Sequence, residues 1–267
     1  MEISGRNNVL AALTSPDLAV TPPAPPTTTP STLAWLRAGV PRFSRGPEHA
    51  PRRGYTQAAL DRVDPAALRA TARRLAERAL ARDPAADVAR EVPVRALADA
   101  LGLPAVDVAD VAAVAKVYLT AVGDPVDLRE ADSAVARLVA AVGGGSDDQT
   151  AALVGVLVQS YQATATLIGN SAAALTVHDG LSSTELVATT LVADPPTPPA
   201  RRMATVDTRI GDVSIAAGET VLLAIGAAGF PFGAGPHACP GAAQATAIAE
   251  GVLDAIRPAS PTAPPRS

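Results

Sequence analysis

At residues 230–241 the chain reads FPFGAGPHACPG, a segment that contains three glycines and the only cysteine of the protein, Cys239. Glycine and proline at this density are typical of a rigid turn in which the backbone comes close to a flat ligand. A helix is predicted at residues 242–256, and the unpaired N–H groups at its start would favour the thiolate form of Cys239. We therefore expect a preorganised loop that presents a sulfur atom to a ligand.

A thiolate is a good ligand for a soft metal ion, but one cysteine is not a complete site. Without a cluster of further cysteines or histidines, the chain cannot build a closed tetrahedral zinc site or an iron–sulfur cluster. Most of the coordination would then come from a cofactor, as the porphyrin does in haem. The alternative is that Cys239 is a small buried hydrophobic residue, which is common for free cysteines.

The pattern FGxGxHxCxG at residues 232–241 resembles the haem-binding signature of the cytochrome P450 family of haem-thiolate monooxygenases. The resemblance implies haem b with Cys239 as the axial iron ligand. It also implies a helical fold that is mainly α with a small β part, shortened at the N-terminus, before the haem loop and at the C-terminus. The loop residues implied to contact the cofactor are Phe232, Gly233, Gly235, His237 and Gly241.

Three residues outside the loop are implied by the same resemblance to bind the haem propionates. His49 and Arg53 resemble the His-x-x-x-Arg pair of the family, and they share one face if their segment is helical, which Pro51 makes doubtful except in a first turn. Arg202 matches a family arginine at the start of a strand, and His237 could donate to the other propionate. The alternatives are an exposed basic patch for His49 and Arg53, and a surface charge on an edge strand for Arg202.

Residues 158–165 are similar to the oxygen-activation segment of the family, in which an acid followed by threonine relays protons. Here Gln162 replaces the acid and Ala163 replaces the threonine, although Thr164 follows and carries a hydroxyl. Because an amide does not donate a proton as a carboxylic acid does, we expect slow or poorly coupled turnover. The alternative is that Gln162 is a polar residue satisfied within a buried helix.

A second departure is the Glu-x-x-Arg pair of the family, which would fall at Thr189 and Val192 and is absent. The resemblance implies an oxidoreductase that monooxygenates a small organic substrate with electrons from a ferredoxin-type partner. The departures keep two further interpretations open. One is a haem-binding auxiliary protein without efficient oxygen activation, and the other is a degenerate remnant without a function.

Composition excludes several other classes of function. The net charge of -4 and the absence of a long basic run argue against nucleic acid as the main partner. One cysteine excludes an intramolecular disulfide and fits a reducing compartment. The N-terminus does not read as a signal peptide and the apolar runs are interrupted, so we expect a cytoplasmic protein without a membrane span.

The organisation along the chain is predicted as three parts. Residues 1–30 form an N-terminal segment that ends in a Pro/Thr linker, residues 31–257 form the haem-thiolate domain, and residues 258–267 form a disordered tail. Helices are expected near residues 32–40, 64–82, 92–104, 106–121, 128–142, 149–176 and 183–192. Short strands are expected at residues 202–208, 212–215 and 220–223.

Overall fold

The structure is a computed structural model, and it describes residues 1–20 and 29–257. Most of the linker predicted before residue 31, and the tail predicted at residues 258–267, lie outside the described residues. Within the described part of the chain the α-helices are α1 Arg6–Thr14, α2 Leu33–Gly39, α3 His49–Leu60, α4 Pro65–Arg82, α5 Val88–Leu101, α6 Val108–Tyr118, α7 Pro125–Ala141, α8 Asp148–Ala174, α9 Ser183–Ala193 and α10 Ala242–Ile256.

Two small sheets accompany the helices. The strands are β1 Glu2–Ile3, β2 Leu18–Ala19, β3 Ala200–Ala204, β4 Thr208–Ile210, β5 Val213–Ile215 and β6 Thr220–Leu223. One sheet has the order β1-β6-β3-β2, in which β1 runs parallel to β6 and the other neighbours are antiparallel. Strands β4 and β5 form a separate antiparallel hairpin. The prediction of a mainly α fold with a small β part is confirmed.

Polar side chains cap several of the helices and explain where they begin. Asp64 accepts hydrogen bonds from the first N–H groups of α4, and Pro65 follows as its first residue. Ser182 and Glu185 form a capping box at the start of α9. Gly102 ends α5 in the left-handed conformation with φ of 72°. Asp64 with Pro65, and Gly102, are the signals from which the start of α4 and the end of α5 were predicted.

The first twenty residues belong to the folded unit. Ile3, Val9 and Leu13 are buried with residues of β3, β5 and β6 in a core that lies beside the small sheets. The N-terminal segment, which the sequence set apart from the haem-thiolate domain, thus forms a core together with the small sheets. Two-residue strands such as β1 and β2 carry no periodicity in the sequence, so their pairing could not be recognised there.

The larger core is helical, and α8 runs through it. This helix is long and apolar enough to cross a membrane by length and composition, but 56% of its most apolar stretch is buried inside the protein. Such burial is typical of the core helix of a globular protein. The helical core contacts α8 on several sides through α3, α5, α6, α9 and α10.

Candidate haem-thiolate site

A cavity of about 1220 Å³ lies between the two cores. Leu13 and Ile225 line it from the sheet core, and Leu60 and Ile248 line it from the helical core. The volume exceeds the ~300–1,000 Å³ of typical small-molecule pockets. The cavity therefore has room for a large cofactor and a further ligand.

The loop at residues 230–241 forms one wall of this cavity. The Cys239 N–H donates to the Phe232 carbonyl across the loop at 2.8 Å, and the Gly233 N–H donates to the Phe230 carbonyl at 2.8 Å. Gly233 has φ of 71°, a conformation that favours glycine. Phe232, Gly233, Cys239 and Gly241 all line the cavity. The backbone bonds thus fix the direction in which Cys239 is presented.

Helix α1 packs against the loop at residues 230–241. Gly235 has φ of 70°, and a Cβ atom at this position would lie 3.1 Å from the Leu13 carbonyl oxygen. The Arg6 guanidinium lies over the Phe230 ring, with 4.5 Å between Cζ and the ring centroid. Gly235 packs against Leu13 and Thr14 of α1 and is not among the residues that line the cavity.

The Cys239 thiol is exposed and faces the cavity. Because protein surrounds the cavity, burial raises the pKa of this thiol, and the Gly241 N–H and the charges of Arg42 and Arg53 lower it by less. The expected preference for thiolate is therefore wrong for the thiol on its own. A metal ion that binds the sulfur would have to displace the proton.

Two histidines lie beside the cysteine loop. The ring centroids of His49 and His237 are 4.2 Å apart, and both side chains line the cavity. Burial, followed by the charges of His49, Arg202, Arg53 and Arg42, lowers the pKa of His237 to about 3. Burial and Arg53 also lower the pKa of His49. Both rings are therefore neutral at pH 7.

His49 and Arg53 both lie on helix α3. They are four residues apart and therefore share one face of the helix. Pro51 is accommodated in the first turn, where its missing N–H has no helical partner to lose. Arg53 donates through Nη1 to the carbonyl of Ala238, next to the cysteine. The segment that carries His49 and Arg53 is therefore helical. The hydrogen bond from Arg53 to the cysteine loop is a contact that the sequence did not indicate.

Arg202 on β3 is 7% exposed and lines the cavity. Its Nη1 donates to the Arg201 carbonyl at 2.9 Å. Burial and the charge of Arg42 lower the pKa of Arg202 to about 10, so the guanidinium stays charged at pH 7. Within residues 1–20 and 29–257, Arg202 has no ion pair with an acidic side chain, and its charge is thus available to an anionic ligand.

Residues 158–165, which resemble the oxygen-activation segment of the family, lie on α8. Ala163 and Thr164 line the cavity, whereas Gln162 is exposed and is not part of the lining. Four other residues of the helix line the cavity at helical spacing, of which Gln159 and Ser160 are polar. Sequence reasoning did not single out these two, although the i, i+3, i+4 spacing from Ala163 would have indicated them.

The lining residues fit a haem group. One exposed thiol faces a cavity whose neighbouring wall carries buried Arg202, two neutral imidazoles and the partly buried Arg53. The buried Nε2 of His49 has no hydrogen-bond partner among the described residues. A porphyrin supplies two propionates, which are acceptors for such donors. In the described ranges no group of three His, Cys, Asp or Glu side chains could hold a metal ion, so Cys239 would be its single ligand from this set.

Solved structures similar to this one have a common fold. P450BioI, in its complex with hexadec-9Z-enoic acid ligated acyl carrier protein, matches with a TM-score of 0.77 and 18% identity over 95% of this chain and 83% of that chain. Substrate-free CYP109E1 from Bacillus megaterium matches with a TM-score of 0.72 and 18% identity over 94% and 83% of the two chains. This chain has the cytochrome P450 fold.

A third cytochrome P450, the ligand-free monooxygenase TamI, matches with a TM-score of 0.69 and 21% identity over 95% of this chain and 75% of that chain. No family model matches the chain, and no curated protein is significantly similar to it in sequence. The identities are low enough that these neighbours show the cytochrome P450 fold alone. The prediction of that fold, made from the loop at residues 230–241, is confirmed.

Proposed function

We propose that the protein binds haem b through the Cys239 sulfur and acts as a haem-thiolate oxidoreductase on a small organic substrate. The observation that carries the proposal is the position of Cys239, whose exposed thiol faces a cavity of about 1220 Å³ within a cytochrome P450 fold. The proposed reaction is monooxygenation with electrons from a ferredoxin-type partner. A cytoplasmic location belongs to the same proposal.

In this proposal the residues that line the cavity have different roles in binding haem and substrate. Haem, when bound, supplies the activation of dioxygen for transfer of one oxygen atom to the substrate. Arg202 and His237 donate to propionate oxygens, and His49 and Arg53 complete the electropositive side of the cavity. Phe232 lines the cavity beside Cys239 and would contact the bound haem. Leu97 of α5 and the apolar residues of α8 that line the cavity would exclude water from it.

The reduced protein with carbon monoxide tests the proposal by its absorption spectrum. We expect a thiolate-type spectrum from the wild type and its loss in Cys239→Ala. His178→Ala is the matched control, because His178 is exposed and does not line the cavity. Retention of a thiolate-type spectrum by Cys239→Ala would exclude Cys239 as the ligand.

A second candidate function is a haem-binding auxiliary protein with little monooxygenase activity. The α8 face toward the cavity favours it, because that face carries no carboxylate among the described residues. Besides Thr164, its polar side chains are turned back on the helix: Gln159 donates to the Gly155 carbonyl at 3.0 Å, and Ser160 donates to the Leu157 carbonyl at 2.7 Å. Neither is arranged as a proton donor toward the cavity.

A pair of substitutions on α8 distinguishes the two functions. Ala163→Thr places a hydroxyl on the cavity face, and we expect less peroxide to be released per reducing equivalent from a surrogate ferredoxin and its reductase. Gln162→Glu is the control, because this side chain is off the cavity face and should leave peroxide release unchanged. Efficient coupling in the wild type would contradict the auxiliary function. An improvement with Gln162→Glu alone would contradict our placement of α8.

A further inference from the structure

Arg37 on α2 is a buried cation without a partner. It is 7% exposed and lines the cavity, and its Nε and Nη1 atoms are buried without a hydrogen-bond partner among residues 1–20 and 29–257. Buried donors of a charged group are rarely left unsatisfied, because their desolvation is not compensated. Burial lowers the pKa of Arg37 and Tyr118 raises it, but a guanidinium stays protonated at neutral pH.

The protein itself has no carboxylate side chain for this guanidinium. Residues 21–28 and 258–267 contain neither Asp nor Glu, so every acidic side chain of the chain is described by the structure. None of them forms an ion pair with Arg37 in the described ranges. Asp132 also lines the cavity, but its Oδ1 accepts the Leu33 N–H at 2.8 Å and caps the start of α2.

Arg37 is held in place by an aromatic side chain. Its Cζ atom lies 4.4 Å from the centroid of the Phe43 ring, and Phe43 makes an edge contact with Tyr118 at 5.4 Å between ring centroids. Stacking on a ring leaves the edge of a guanidinium, where its N–H groups are, free to bind an oxyanion. The position is therefore preorganised for a carboxylate.

Arg37 lies near the basic group beside Cys239 but on the side away from the cysteine. The positive charges that act on both His237 and Cys239 are those of Arg42 and Arg53, whereas Arg37 and Arg42 both act on Tyr118. Apolar residues of the α6–α7 connection line the cavity as well, and two of them, Leu119 and Val122, are exposed. An occupant would thus meet both an unpaired cation and apolar walls.

We propose that Arg37 binds the carboxylate of the substrate, which is a small acid with an apolar body. The inference rests on the proposed function, because it places a substrate in the cavity that Cys239 faces. It narrows the small organic substrate to an anionic one. A haem propionate is also a carboxylate and could bind Arg37 in the same way. The experiment distinguishes a substrate carboxylate from a propionate.

Calorimetric titration of decanoate, with decanol as the uncharged analogue, tests the carboxylate contact. We expect decanoate to bind the wild type ten- to a hundredfold more tightly than decanol does, and Arg37→Met to abolish that difference. Arg37→Lys should retain part of it, and Arg209→Met, at an exposed position outside the cavity, should retain all of it. Equal binding of decanoate and decanol by the wild type, or no binding of either, would overturn the proposal.

The affinity of the Arg37→Met variant for haem is the second measurement that tests the proposal. We expect Arg37→Met to bind haem as tightly as the wild type, with equal helix content by circular dichroism. Weaker haem binding together with an unchanged preference for decanoate would assign Arg37 to a propionate and overturn the proposal. If Arg37→Met does not fold, the comparison of decanoate with decanol on the wild type, repeated with Arg37→Lys, decides the matter. Failure of the proposed function is seen separately, as a wild type without a thiolate-type spectrum.

Discussion

Arg202 is a buried cation that lines the cavity and has no acidic partner among the described residues, so it is suited to bind an anionic ligand. Its guanidinium is buried, stays charged at pH 7, and bonds only to the Arg201 backbone among its described neighbours. The exposed alternative considered from the sequence is therefore wrong, because Arg202 faces the cavity and Arg201 is the exposed member of the pair. Contact with a haem propionate remains a prediction.

Arg202→Ala should weaken haem affinity ten- to a hundredfold, since one charge-assisted contact contributes about 1.5–3 kcal/mol. Titration of haem into wild-type and variant apoprotein measures the effect. Arg209→Ala, which removes an exposed arginine from β4, should bind haem as the wild type does. Equal affinities of Arg202→Ala and wild type would mean that this guanidinium does not contact the cofactor.

At the residue scale, the sequence predicted the loop residues but not their partners. Cys239, His237 and Phe232 follow from a short pattern whose spacing is local, and all three line the cavity. Arg37 comes from a distant part of the chain and carries no motif of its own. Arg37 stands out because it is buried and because two of its nitrogen atoms have no hydrogen-bond partner among the described residues. Neither property can be predicted from the adjacent residues in the sequence.

Helices α4 and α10 pack closely against each other. A Cβ atom at Gly251 of α10 would collide with the Arg69 carbonyl oxygen of α4. Across the same interface, Arg69 forms ion pairs with Glu250 at 2.7 Å and Asp254 at 2.8 Å. Because α10 follows directly after the cysteine loop, this interface fixes the loop against the helical core.

Gly251→Ala should lower the free energy of unfolding by about 1–3 kcal/mol, because the added methyl group forces the two helices apart. Gly169→Ala is the matched control: this residue lies in α8 with nothing within 4 Å of a built Cβ, so the substitution should stabilise by about 0.5–1 kcal/mol. Urea unfolding followed by circular dichroism measures both. A Gly251→Ala protein as stable as the wild type would show that the helices are not packed this closely.

At the element scale, the capped helices and the strands at residues 212–215 and 220–223 were predicted well, and the two-residue strands β1 and β2 were missed. The helix expected at residues 183–192 is observed as α9, Ser183–Ala193, because its capping box and apolar spacing are local features. Strands β1 and β2 are defined by partners about two hundred positions away in the chain. Helix α3 was doubtful only because Pro51 is tolerated in a first turn and excluded from later ones.

For the whole molecule, the cavity between the two cores predicts that a cofactor stabilises the fold. Free haem at a hundred times its dissociation constant contributes about 2.7 kcal/mol, which corresponds to a rise in the unfolding temperature of about 5–10 °C for a domain of this size. Thermal unfolding with and without haem measures the rise, and Cys239→Ala should show a smaller one. A rise of the same size in Cys239→Ala would contradict ligation through that sulfur.

The parallel pairing of β1 with β6 has a consequence for the order in which the protein assembles during synthesis. Residue 2 pairs with residue 222, so β1 has no partner until the chain has been synthesised as far as β6. At typical rates of translation this delay lasts about 10–40 s. The helices between them have largely local contacts and can fold in the meantime. The sheet core and the cysteine loop beside it are then completed after these helices, so the proposed binding of haem would follow their folding.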